Sequence, residues 1–117
     1  MPIKSRAKGA RREREACDLL EVYEIFARRS QQYKGTSDSP DIEGRDGETF
    51  FQSFPTEVKA REVFRLYPWL EKIKRENPDK GRCLVVYKKN HKPWTITMYA
   101  EDLLPVLYQY HLTTQEK

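Results

Sequence analysis

The run of elements legible in these 117 residues predicts an α/β protein, a mixed β-sheet covered by helices. Three observations predict it. An apolar stripe at helical spacing opens the chain. Short runs rich in β-branched and aromatic residues follow, punctuated by Gly, Pro, Asn and Asp. Two further helical segments, one between strands and one at the end, are placed to cover the sheet.

Taken in order, residues 1–8 are basic, contain Pro2, and are expected to form a mobile arm. A helix is expected over 11–29, where Ala16, Leu19, Leu20, Tyr23, Phe26 and Ala27 recur on one face. Residues 30–40 read as a loop, with a short strand near 31–34. Pro40-Asp41-Ile42 opens a short strand. Arg45-Asp46-Gly47-Glu48 reads as a hairpin turn, because Asp-Gly suits the positive φ of tight turns. The returning strand is expected over 49–60, with a bulge, bend or edge at Pro55.

Pro68 suits the first turn of a second helix that reaches Glu76 and buries Trp69, Leu70 and Ile73. Residues 77–81 form a turn by composition. A strand is expected over 82–87, with the continuous apolar run Cys83-Leu84-Val85-Val86, and its partner over 94–99 after a turn at 88–93. The last helix, 101–110, carries Leu103, Leu104, Val106 and Leu107 and is expected to be short or kinked at Pro105. Residues 111–117 are expected to fray.

Length limits the chain to one domain over 1–117. Hydrophobic residues at 38% beside 34% charged residues allow a core, but a thin one; 12% aromatics supply its bulk. Cys17 and Cys83 lie far apart without metal spacing, so they read as two buried thiols in a reducing, cytoplasmic setting. No apolar run is long enough for a membrane span or signal peptide. No Gly-rich phosphate loop, Ser-His-Asp set or cysteine nucleophile is apparent, and His91 in a Lys-rich turn reads as surface.

The net charge of +4 permits an anionic partner, and its distribution says more. Residues 1–14 hold six Lys/Arg against one Glu. Residues 37–57 hold six Asp/Glu against one Arg. Residues 58–75 hold six Lys/Arg against two Glu. An acidic block between two basic ones suits a metal site within a phosphate-binding surface, although each block alone is most simply a solvated face.

Within the acidic block, Asp41 precedes Glu57-Val58-Lys59. Strand side chains alternate, so Glu57 and Lys59 project on one side, and a hairpin would bring Asp41 to them. Two converging carboxylates offer hard oxygen ligands for Mg²⁺, with the Val58 carbonyl as a further ligand and Mn²⁺ as a substitute. Phosphodiester hydrolysis needs such a site to polarise the phosphoryl oxygen and activate water. Lys59 would orient that water or offset charge on the phosphate. Taken singly, a Glu-x-Lys on a strand is usually an exposed ion pair and a Pro-Asp usually a turn. On the first helix Glu13 and Glu15 flank the apolar stripe on opposite sides, and the wheel does not choose between them.

Ser39-Pro40-Asp41-Ile42 followed by Thr56-Glu57-Val58-Lys59 resembles the motif of the PD-(D/E)xK nucleases. Lys8-Gly9-Ala10-Arg11-Arg12-Glu13-Arg14-Glu15 resembles the start of the archaeal-type Holliday-junction resolvases. The resemblance implies a restriction-endonuclease-like fold and selects Glu13, four residues after Gly9, as the further metal-site carboxylate, with Glu15 in reserve. It implies a Mg²⁺-dependent endonuclease acting on DNA, a four-way junction first. Paired nicks on a junction imply a homodimer, with residues 64–69 and the last helix as candidate interface elements. Ala60-Arg61-Glu62, the aromatic stretch after it and the third helix depart from the family pattern. Two alternatives stand beside this reading: a nuclease of the same type acting on flaps, nicks or single strands, and a non-catalytic DNA-binding or assembly module.

Phosphate contacts are expected from Lys8, Arg11, Arg12 and Arg14, beside Lys4 and Arg6 of the arm, and from Arg61 and Arg65 after the motif. Arg28 and Arg29, and Ser37 and Ser39 of the loop, are weaker candidates. Trp69 and Trp94 read as core.

Overall fold

The computed structural model describes residues 2–30, 41–79 and 81–115. They form α1 (Pro2–Glu21), β1 (Ala27–Arg29), β2 (Ile42–Gly44), α2 (Phe50–Ser53), β3 (Thr56–Ala60), α3 (Leu66–Glu76), β4 (Leu84–Lys88), β5 (Thr95–Thr97) and α4 (Ala100–Gln115). The class is mixed α/β, as the sequence predicts, but the strands fall into two small sheets. β1 and β2 pair antiparallel. The other sheet runs β3-β4-β5, its first pair parallel and its second antiparallel.

The parallel pair needs a crossover, and α3 supplies it. Leu84 and Val86 of β4 face a core built with Ala16, Cys17 and Leu20 of α1, Ala27, Ile42, Phe51 and Val58. Val85 faces Trp69 and Leu70 of α3 on the other side. Coverage of both faces is why this strand reads as an unbroken apolar run. Trp69, Leu70 and Ile73 are the buried face of α3, as expected from their spacing. Cys17 and Cys83 are both buried thiols. Among the described residues no helix is long and apolar enough to cross a membrane.

Four expectations are corrected. The helix at the start runs from Pro2, so residues 2–8 belong to α1 rather than to an arm; proline is well suited to a helix's first position. α1 also stops at Glu21 rather than 29. The N–H of Ile25 bonds to the Leu20 carbonyl at 3.1 Å and that of Glu24 to Glu21 at 2.9 Å, with Glu24 at φ 63°. This is a Schellman stop, complete with the apolar contact of Ile25 on the core that holds Leu20. A glutamate stands where a glycine would have announced it. The chain is thereby released to form β1. The strand expected at 31–34 lies outside the described residues.

The Asp46-Gly47 turn forms with positive φ at both residues, but no returning strand follows it. The Glu48 carboxylate accepts the N–H groups of Thr49 at 3.1 Å and Phe50 at 3.2 Å, starting α2 where a ladder was expected. Phe50 stacks on Phe54 with ring centroids 4.8 Å apart, which holds that bend closed. Pro55 accordingly sits just before β3, and its carbonyl accepts the N–H of Leu84 at 3.0 Å. Finally, α4 continues to Gln115 through Pro105, where fraying was expected from residue 111.

Candidate active site

β3 places its side chains alternately, and the two faces take different roles. Val58 enters the α1-side core. Glu57 and Lys59 lie on the α3 side. Glu57 is 5% exposed, and its Oε1 is 3.2 Å from Lys59 Nζ and 3.4 Å from Lys72 Nζ. Lys72 also reaches Glu76 at 3.4 Å, one turn along α3. Lys59 Nζ stands 5.9 Å from the centre of the Trp69 ring.

Asp41 reaches this strand without the expected hairpin. β2 is paired with β1, yet Asp41 Oδ2 accepts the N–H of Val58 at 2.9 Å. The aspartate therefore satisfies a backbone donor on the outer edge of β3, which no strand among the described residues occupies. In extended chain a residue's N–H and C=O point to the same edge, so the Val58 carbonyl lies on Asp41's side. The Pro55 carbonyl, which bonds to β4, fits this alternation.

From α1, Glu13 faces the same region, its Oε1 accepting from Arg29 Nε at 2.8 Å. Lys8, Gly9, Arg12, Glu13, Asp41, Val58, Lys59, Ala60, Arg61 and Glu62 line one cleft of about 550 Å³. Arg12 is fixed across it, donating to Glu15 at 2.8 Å and to Asn90 at 3.0 Å, while its Nε is buried without a partner. The cleft thus has acidic groups beside the β3 edge and basic groups around them.

Burial pushes the Asp41 carboxyl up to about 7, and the charges of Glu57 and Glu13 push the same way against the Val58 N–H and Lys59. The physical content is that Asp41 is drawn away from water first, with the charges of Glu57 and Glu13 adding to that cost. Oxygen donors in that state fit a hard divalent cation: Asp41 and the Val58 carbonyl at the strand edge, with Glu13 facing them across the cleft.

The expected set is not gathered whole. Glu57 lies behind the cleft wall, held by two lysines, and Glu13 is held by Arg29. Among the described residues no three His, Cys, Asp or Glu side chains converge as a ready-made cation cage. The reserve residue Glu15 is engaged by Arg12 and, at 3.6 Å, by Arg11, outside the cleft. Arg11, Arg14 and Arg65 are exposed and do not line it, whereas Lys8, Arg12 and Arg61 do. Arg28 pairs with Glu43 at 2.8 Å. Ser37, Ser39, Pro40 and the side chains of Lys4 and Arg6 lie outside the described residues.

Sequence reasoning missed Lys72, Glu62 and Asn90. Lys72 carried a signal: it precedes Glu76 by four residues, on a helix whose buried face was already legible. Glu62, which lines the cleft and accepts the Asn90 N–H at 3.2 Å, carried none. No family model, curated protein or solved structure matches the chain.

Proposed function

We propose that this chain is a divalent-metal-dependent endonuclease of the PD-(D/E)xK type on a restriction-endonuclease-like fold, cutting branched DNA, with a four-way junction as first substrate and a homodimer as working form. The supporting observation is the cleft, where Asp41, Val58, Lys59 and Glu13 stand beside Lys8, Arg12 and Arg61. Mg²⁺, with Mn²⁺ as substitute, would be held by Asp41, the Val58 carbonyl and, once released from their cations, Glu57 and Glu13. The metal supplies Lewis acidity and an activated water. Lys59 offsets charge at the phosphate, and the basic residues hold the DNA backbone.

One observation favours a second reading. Glu57 neutralised by Lys59 and Lys72 is stable without any metal, which suits a DNA-binding module that performs no chemistry.

The experiment is cleavage of a labelled four-way junction beside matched duplex, flap, nicked and single-stranded DNA, with Mg²⁺ or EDTA, for the wild type and Asp41→Ala. Paired symmetric nicks lost with EDTA and in the variant are expected. Cutting confined to the other substrates removes the junction assignment. Metal-dependent cutting of none, with DNA binding retained, makes the binding module the better account.

A further inference from the structure

α4 is built the wrong way round for a helix of an isolated chain. Its one buried residue is an aspartate: Asp102, 6% exposed, bonded to Lys74 Nζ at 2.6 Å. Beyond that first turn its large apolar side chains face solvent. Leu104 is 59% exposed, Leu107 49%, Tyr108 57% and Tyr110 70%. None of α4's apolar side chains joins either core cluster.

These side chains spread over a broad arc of the helix, with Leu112, 38% exposed, at one margin. At about 100° per residue, Leu104, Leu107 and His111 fall within a sector of roughly 60°, flanked by Leu103, Tyr110 and Tyr108. Asp102 projects from the opposite side, toward the body. An amphipathic helix normally turns its apolar stripe to its own core. α4 is apolar over most of its circumference and leaves that surface outward, and the molecule extends 54 Å in its longest dimension against 31 and 29 Å in the others.

We infer that this face pairs with the same face of a second copy of the chain. Two features select that occupant. From 103 to 114 the helix carries no Asp, Glu, Lys or Arg, so two copies meet without like-charge repulsion, and a charged partner finds nothing to pair with. The exposed parts of Leu103, Leu104, Leu107, Tyr108 and Tyr110 amount to ~600 Å² per copy, so a pair that covered all of them would bury ~1,200 Å², the lower end of the range of stable interfaces. The other candidate element exposes fewer such side chains: Tyr67 is 61% and Phe64 44% exposed, but Trp69 is buried, and Phe64 packs on Trp69 and Tyr87 with ring centroids 5.5 and 4.9 Å away. The inference rests on α4 alone and stands whether or not the cleft cuts DNA.

Leu107 lies near the middle of the uncharged stretch, so a two-fold axis brings it close to its own counterpart. The test is sedimentation velocity of the full chain from low to high micromolar concentration, for the wild type, Leu107→Glu, Leu107→Lys and an equimolar mixture of the two variants. The wild type is expected at twice the 14.0 kDa chain mass. Each variant alone is expected at the chain mass, with self-association weakened by more than about 100-fold. The mixture is expected to recover the paired mass, which a misfolded variant could not do. A wild type of single-chain mass at every concentration overturns the inference, including one that floats with neutral phosphatidylcholine vesicles. So does pairing that persists in both single variants.

Discussion

The β3 edge and the α4 helix treat polar and apolar groups in opposite ways. At β3 the molecule withdraws carboxylates from water: Glu57 buried behind two lysines, Asp41 half-buried on a backbone N–H. At α4 it leaves leucines and tyrosines in water and buries one aspartate as an anchor. Each arrangement costs the isolated chain free energy, since taking charged groups out of water and leaving apolar surface in it are both unfavourable. A region that is costly in isolation is where a ligand or a partner has most to contribute. The comparison therefore separates the two proposed roles: a cleft that would take cation and anion, and a face that would take another apolar face.

The largest effects should distinguish true core from outward face. Leu20→Ala, at a residue 6% exposed, is expected to lose about 2–4 kcal/mol in urea unfolding. Leu104→Ala, at a residue 59% exposed, is expected to lose less than about 0.5 kcal/mol in dilute solution, where copies are apart. Equal losses would put α4 in the core and end the contrast.

Next comes the half-buried acid. The Asp41 carboxyl is raised, to about 7, so the folded chain holds a proton there that the unfolded chain releases near its ordinary value. Stability from this group is therefore greatest at low pH and falls as pH rises from about 4 through 7, the reverse of a salt-bridged aspartate. Asp41→Asn should remove that slope, gaining roughly 2–4 kcal/mol on the wild type between pH 4 and pH 8 in paired urea titrations. A variant with the wild-type slope would show that Asp41 is not the group responsible. Under the metal reading, Mg²⁺ should stabilise the wild type more at pH 8 than at pH 5, because it competes with that proton.

A smaller effect sharpens the account of Glu57. Burial pulls the Lys72 ammonium down, but Glu57 and Glu76 outweigh it and hold it above its usual range. Lys72→Met leaves Glu57 with Lys59 alone and is expected to cost about 1 kcal/mol, solvent screening included. It should also tighten Mn²⁺ binding followed by calorimetry, because Glu57 is freed. Unchanged metal affinity would show that Glu57 takes no part. The smallest effect is a gain: Glu24→Gly removes a left-handed non-glycine residue at φ 63° and is expected to add about 0.5–1 kcal/mol to thermal stability.

Much of this was legible before any coordinates, and particular residues show why. Trp69, Leu70 and Ile73 recur at helical spacing next to Pro68, and α3 follows. The Asp46-Gly47 pair takes positive φ as its chemistry allows. Asp41 and Lys59 share a cleft, but by a route the sequence did not announce. A hairpin was the local inference from an Asp-Gly turn, and the Glu48 carboxylate together with the Phe50–Phe54 stack diverted it into α2. The end of α1 was hidden for a comparable reason. Its left-handed residue is a glutamate, and apolar residues continue past it at helical spacing into Phe26 and Ala27.

By itself the sequence determined the α/β class, the strand with the unbroken apolar run Leu84-Val85-Val86, the buried thiols, and the acid and lysine composition at β3. Those follow from periodicity, backbone preference and alternation, which act within a few residues. Only the tertiary structure decided that β2 pairs with β1, that Asp41 bonds to the outer edge of β3, that Lys72 joins Lys59 at Glu57, and that α4 turns its leucines to solvent. Each of those depends on which groups meet across tens of residues, and the free energy of such meetings belongs to the pair and not to either segment alone.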